Sequence, residues 1–276
     1  MSDAVKSAAC GGFAGACVSV TLQPFDVVRT RMHTDVIHTQ KASALRTFRT
    51  ILAEGGVQRL WRGTTATSLR VGGGAFLHFH TLHVLRTLVG DPSSGSAIAT
   101  HALLGGASRG LAVVIMCPVT TVKTRMEASH AGAQNYRSVI HALTDVVKAE
   151  GLLALWRGLP AAMLANAPFS AIHYATYRTA QEAARDRLGL EGAVANFAAG
   201  AAASVLATTA TQPFDVIRTR QMLNVGNSLA DLRAAGLRGL FAGFLPRLVK
   251  RPLQTTLVWT LYEELYKAAG GPPAKK

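Results

Sequence analysis

The sequence predicts an all-α membrane protein of three tandem two-helix repeats, with six transmembrane helices. Two observations lead there. Of 276 residues, 49% are hydrophobic and only 16% charged, with a mean hydropathy of +0.23. A soluble domain carries about 25% charged residues to face water. The second observation is a word that recurs. Pro24 begins PFDVVRTRM, Pro118 begins PVTTVKTRM and Pro213 begins PFDVIRTRQ, at spacings of 94 and 95 residues.

The repeat extends beyond that word. Gly11, Gly105 and Gly200 stand thirteen residues before the three prolines, and Gly15, Arg109 and Ser204 stand nine before. Downstream, Leu60-Trp61-Arg62-Gly63 matches Leu155-Trp156-Arg157-Gly158, with Leu240-Phe241-Ala242-Gly243 as a decayed third copy. An internal period of this kind defines repeat architecture before any finer reading. It divides the chain into units 1–90, 91–188 and 189–276 within one integral membrane domain.

Each unit reads as helix, proline, charged turn, short amphipathic helix, tryptophan-type word, helix. The uncharged interiors of 6–26, 158–177 and 192–214 reach the roughly 20 residues that cross a ~30 Å hydrocarbon core. Segments 71–85, 98–118 and 252–266 are less pure, carrying His, Arg109 or flanking charge, as helices beside a wet cavity do. A soluble helical solenoid fits poorly, because GAVANFAAGAAASVLATTATQPF offers no polar outer face. The pairs Gly11–Gly15, Gly106–Gly110 and Gly200–Ser204 follow the small-xxx-small pattern that permits close, sliding helix contact.

Basic residues crowd the segments inside repeats: Arg29, Arg31, Lys41, Arg46, Arg49, Arg59 and Arg62, then Lys123, Arg125, Arg137, Lys148 and Arg157. The links 86–100 and 178–194 are less basic and contain acids. The positive-inside rule turns the basic segments toward the cytoplasm or the mitochondrial matrix. An even number of spans then puts both termini on the other face.

Net charge is +14, which suits a nucleic acid, an anionic membrane face or an anionic solute. No basic run interleaved with stacking aromatics supports nucleic acid. Cys10, Cys17 and Cys117 form neither a disulfide framework nor a metal set. The first two lie two helical turns apart, about 10 Å along the axis, beyond bridging distance. His78, His80 and His83 lack a completing carboxylate or thiolate, so no metal is expected. No nucleophile–base set or phosphate loop suggests an enzyme. Near the start, MSDAVKSAACGGFAG enters an apolar helix at once, so targeting information is expected inside the chain.

The recurring word has physical consequences. A proline inside a helix removes a hydrogen bond and bends it, so kinks at Pro24, Pro118 and Pro213 let three helices converge at one end. Asp26 and Arg29 share a helical face, as do Asp215 and Arg218, whereas the second repeat has Thr120 with Lys123. Charges at membrane depth need partners or water. A three-fold ring pairs Asp26 with Lys123 and Asp215 with Arg29, leaving Thr120 opposite Arg218. Pairs reached by water are worth only ~0–1 kcal/mol each, weak enough for a gate to open.

Proline, acid, two residues, base, one residue, base, three times over nearly the whole chain, resembles the mitochondrial carrier family. The resemblance implies six transmembrane helices and short matrix helices about a pseudo-three-fold axis. It implies a monomer working by alternating access in the mitochondrial inner membrane, with both termini toward the intermembrane space. Asp26, Arg29, Thr120, Lys123, Asp215 and Arg218 would form its matrix gate. Cardiolipin would sit at helix N-termini by Trp61, Arg62, Gly63, Trp156, Arg157, Gly158 and Gly243, where free amides and the helix dipole bind phosphate.

Closer words, CPVTTVKTR from Cys117, NAPFSAI from Asn166 and VWTLYEELYK from Val258, resemble the family's glycine-carrying branch, which serves haem synthesis. That branch has an Arg-Asp pair where this chain has Ala165-Asn166. The cytoplasmic gate word survives loosely in residues 262–267, and its counterparts Leu82-His83 and Tyr177-Arg178 lack the acid. By family position, Arg70, Arg109, Ala165, Asn166, Lys250 and Arg251 are the substrate candidates, the basic ones gripping a carboxylate. Glycine or a related small amino acid is the expected solute, and no cofactor is expected. A different small carboxylate or anion is the first alternative. A carrier-fold scaffold that has lost transport is the second.

Overall fold

The computed structural model describes residues 3–38, 43–89, 97–129, 136–188, 192–224, 236 and 239–269. All regular structure among them is helical. The helices are α1 (Asp3–Thr21), α2 (Gln23–His38), α3 (Ala44–Gly55), α4 (Thr64–Val89), α5 (Ala97–Ala128), α6 (Val139–Glu150), α7 (Leu159–Leu188), α8 (Gly192–Leu223) and α9 (Phe244–Ala268). Short 3-10 turns, Val57–Trp61 and Leu152–Trp156, lead into α4 and α7.

Contacts run α1–α4, α4–α5, α5–α7, α7–α8, α8–α9 and back from α9 to α1. The chain thus closes a ring in sequence order. The proline-bearing columns also meet one another, through α2–α5, α5–α8 and α2–α8 contacts. Convergence at that end follows from the prolines, which differ in effect. Pro118 and Pro213 lie inside the continuous helices α5 and α8. At Pro24 the column divides into α1 and α2, where Phe25 N donates to Leu22 O at 3.2 Å in a tightened turn.

Among the described residues one helix, Leu103–Ala128, is by itself long and apolar enough to cross a membrane. The polarity is arranged inside out. Large apolar side chains face outward, among them Phe13, Phe76, Leu103, Leu111, Leu164 and Leu206, whereas Asp26, Lys123, Asp215 and Arg220 are buried.

Two small apolar clusters hold α3 and α6 against the ring. Val27, Val28, Met32, Ile51 and Leu60 form one, and Val122, Met126, Val146 and Leu155 belong to the other. Ile51 and Val146, and Leu60 and Leu155, are repeat counterparts. The α6 helix starts on a Ser138 cap, whose hydroxyl accepts from His141 N at 3.1 Å, the usual relief for an orphan amide.

Candidate functional site

A cavity of about 230 Å³ opens where the proline-bearing columns converge. The α2 helix supplies Asp26 and Arg29, α4 supplies Arg70, and α5 supplies Thr120, Lys123 and Glu127. Phe169 comes from α7, Asp215 and Arg218 from α8, and Arg247, Lys250 and Arg251 from α9.

At the cavity floor Asp26 uses both oxygens. Lys123 Nζ donates to Oδ2 at 2.8 Å, and Lys250 Nζ donates to Oδ1 at 2.5 Å. Arg29 pairs with Asp215. Thr120 turns back on its own helix, its hydroxyl donating to Met116 O at 2.9 Å. Arg218 makes no ion pair among the described residues. Six side chains of the repeated word are therefore gathered at one level, but their pattern is not three-fold.

Glu127, which the sequence reading did not single out, reinforces this floor. It lies 3.0 Å from Lys123 Nζ and accepts from Thr30 Oγ1 at 2.8 Å and Gln23 Nε2 at 3.0 Å. Its spacing of four from Lys123 was the available signal. Gln23 also donates to Arg62 O at 2.8 Å, and its repeat counterpart Gln212 donates to Ala242 O at 2.7 Å. Cys117 occupies this place in the second repeat, where Thr121 Oγ1 reaches Leu155 O at 2.8 Å instead. These bonds tie the tryptophan-type turns to the prolines.

Below the floor, the base seven residues after the proline anchors a short helix in the first two repeats. Arg31 pairs with Glu54, which also meets Arg59 at 3.1 Å. Arg125 grips Glu150 with two bonds of 2.5 and 3.0 Å, and Arg157 adds a third at 2.7 Å. The Arg125 guanidinium, helped by Arg157, holds the Glu150 carboxyl below its usual range against the opposing effect of burial. In the third repeat, Arg220 Nε donates to His33 O at 3.4 Å. Glu54 and Glu150 were legible as acids preceding each Trp-Arg-Gly word, and the sequence reading passed over them.

The remaining candidates separate. Arg70, Lys250 and Arg251 line the cavity, with the Arg251 guanidinium 3.7 Å over the Phe169 ring. Ala165 and Asn166 lie on the α7 backbone, and their side chains fall outside the described residues. Arg109 was expected at the cavity, but it is an exposed residue of α5 and does not line it. Eleven residues separate it from Thr120, about 16 Å along a helix.

Trp61 Nε1 donates to Val20 O at 3.1 Å and Trp156 Nε1 to Val114 O at 3.0 Å, equivalent bonds in two repeats. Phe241 has no such donor. Gly63 and Gly243 adopt positive φ, at 79° and 68°, immediately before α4 and α9. His78 meets Ser108 at 3.0 Å and His173 meets Ser204 at 3.4 Å. On the far side of the ring, Lys267 pairs with Glu264 of its own helix at 2.8 Å.

Residues 2–93, 94–188 and 190–271 each match the family described as "Mitochondrial carrier protein". The "Mitochondrial glycine transporter" of Xenopus tropicalis is 34% identical over 286 residues, spanning 98% of this chain and 92% of that protein. The "Mitochondrial glycine transporter B" of Danio rerio is 33% identical across 97% of this chain and 96% of its own. The Aspergillus niger "Mitochondrial glycine transporter" is 33% identical across 92% and 87%.

Proposed function

This chain belongs to the mitochondrial carrier family, and from that premise we propose that it moves a small carboxylate-bearing solute across the inner membrane by alternating access. It is a transporter, not an enzyme. One observation supports the transport reading above others. A strongly cationic cavity lies inside a closed ring of helices whose outer surface is apolar. Buried charge with an apolar exterior inverts the soluble arrangement and suits a wet pathway through lipid.

In this reading three repeats, 1–90, 91–188 and 189–276, supply six spans, and the short helices α3 and α6 lie on the matrix side. Both termini face the intermembrane space, and the carrier works as a monomer. The pairs Asp26–Lys123 and Arg29–Asp215 close the matrix gate, with Thr120 and Arg218 as an unsealed third position. On the opposite side the described ion pair, Lys267–Glu264, lies within one helix and joins no two columns. In this reading the conformation is the one open to the cytoplasm. Solute entering from that side meets Arg70, Lys250 and Arg251, and transport requires the floor pairs to part.

The relatives are glycine transporters by name, and the solute proposed here is glycine or a related small amino acid, with haem synthesis as its use. A solute of that kind would be held chiefly by its carboxylate, since the sequence has an amide, Asn166, at the family position of an acid, and an acid would bind an ammonium more tightly. Cardiolipin is proposed at the starts of α4, α7 and α9, near Arg62, Arg157 and Gly243, as a structural lipid.

The test is counterflow in proteoliposomes with labelled glycine, challenged by acetate and by methylamine, beside an Asn166→Asp variant. Glycine exchange inhibited by acetate but not by methylamine supports the reading. Strict dependence on the amine in the unmodified chain contradicts it. Protease treatment of mitoplasts should remove tags from both ends, and protection of both tags would reverse the orientation.

A further inference from the structure

The three seams between repeats are not closed alike. Between repeats one and two, Lys123 donates to Asp26 at 2.8 Å, and Glu127 accepts from Thr30 Oγ1 at 2.8 Å and Gln23 Nε2 at 3.0 Å. Between repeats three and one, Arg29 pairs with Asp215, and Lys250 donates to Asp26 at 2.5 Å. Between repeats two and three no ion pair crosses among the described residues. Thr124 Oγ1 reaches the Met222 sulfur at 3.6 Å, and Arg125 Nε reaches Met222 O at 3.0 Å. A thioether is a weak acceptor, and the outer nitrogens of Arg125 are engaged by Glu150 of its own repeat.

The difference lies in one register. Nine residues after the three prolines stand His33, Glu127 and Met222. Each packs against the glycine that opens an even helix of another repeat: His33 at Gly243, Glu127 at Gly63 and Met222 at Gly158. An imidazole bonded to Ala242 O at 3.1 Å occupies one seam and a carboxylate the next, but a thioether occupies the third. The α8 column also lacks a brace that the others have. Trp61 and Trp156 donate to Val20 O and Val114 O, each four residues before its proline, and so restore the bond that proline removes. Phe241 has no N–H to give, and Arg247 reaches Thr208 O, five residues before Pro213, at 3.4 Å instead.

We propose that the floor opens first along the seam between α5 and α8, with repeat one holding both neighbours until that seam has parted. The inference rests on the carrier reading and adds an order of events to it. Asp26 is the pivot, because its two carboxylate oxygens hold Lys123 of repeat two and Lys250 of repeat three. Parting α5 from α8 leaves both of those bonds and the Arg29–Asp215 pair in place. It lets water reach Thr120 and Arg218 from behind, and the floor pairs separate afterwards. A symmetric gate would need three seams to yield together, whereas this one has a side that yields before the rest.

The experiment measures the seams separately. Thr50 on α3, Thr144 on α6 and Asn224 after α8 are exposed, one in each repeat. Thr50→Cys, Thr144→Cys and Asn224→Cys are taken in pairs, in the full chain carrying Cys10→Ala, Cys17→Ala and Cys117→Ala. Spin labels on each pair report distances by pulsed electron paramagnetic resonance in proteoliposomes with glycine on both sides, and counterflow of labelled glycine in the same vesicles reports transport. The 144–224 distance should show a longer component, more populated than any in the 50–144 or 50–224 distance. Thr120→Asp gives Arg218 a partner across the seam and should reduce that component about fivefold. Should that variant not fold, Phe241→Trp restores the missing donor and should reduce it in the same direction. Equally populated longer components in all three pairs, or a larger one in either pair that includes position 50, would overturn the proposal, and glycine exchange in those vesicles would leave the carrier reading intact. A single fixed distance in every pair would overturn it too, and without exchange would remove the carrier reading as well.

Discussion

Replacing Asp26 by Asn should destabilise the protein far more than replacing Asp215, although the two acids hold the same place in the repeat. The Asp26 side chain is 5% exposed and binds two ammonium groups, at 2.8 and 2.5 Å. Asparagine keeps the shape but not the charge. Lys123 would retain Glu127 at 3.0 Å, whereas Lys250, only 12% exposed, would lose its acid. Removing one partner of a buried pair typically costs about 3–5 kcal/mol. Asp215 holds a single partner, Arg29, which is 23% exposed and hydrates when released. A cost nearer 1–3 kcal/mol is expected there. In a chain of this size each kcal/mol lowers the unfolding temperature by roughly 2–4 °C. Asp26→Asn should therefore fall by about 6 °C or more, and Asp215→Asn by clearly less. Thermal unfolding of purified protein, followed by tryptophan fluorescence, measures both. Equal shifts, or a larger one for Asp215→Asn, would refute the asymmetric floor.

Three further outcomes are expected. Thr120→Asp should add a pair with Arg218 and raise the unfolding temperature by a few degrees, on the order of 1 kcal/mol, while slowing exchange if opening limits it. Gly243→Ala should cost about 1–3 kcal/mol, because φ is 68° and a Cβ would stand 2.8 Å from His33 Nε2, whereas Gly12→Ala, with open space around it, should be near neutral in the same melt. Glu150 has a lowered folded-state pKa, so its contribution is present above the ordinary carboxylate range and is lost as pH falls through the lower folded value. Glu150→Gln should remove that part of the acid-side decline in a stability–pH profile.

The repeat was legible because identical chemistry recurs at a fixed spacing, and helices in register must then bury equivalent faces. Pairings within that register, Asp26 with Lys123 and Asp215 with Arg29, follow from symmetry alone. What symmetry cannot reveal is a contact that breaks it. Lys250 reads in sequence as a cavity cation, and its bond to Asp26 forms because α9 closes the ring against α1 and α2. Glu127 was hidden for the opposite reason: it has no counterpart in the recurring word, although it lies four residues from Lys123. The Arg109 expectation relied on family position, and helical rise carries it away from the floor. The break at Pro24, against continuous helices at Pro118 and Pro213, depends on backbone geometry that the same residue in three copies does not encode.

Exchange in proteoliposomes tests the central claim that solute passes through this cavity. Purified protein should take up a labelled small carboxylate saturably, faster when the same solute is inside, and Arg251→Ala should abolish that uptake while still unfolding cooperatively. Uptake no greater than in empty liposomes, or full uptake by Arg251→Ala, would contradict the account.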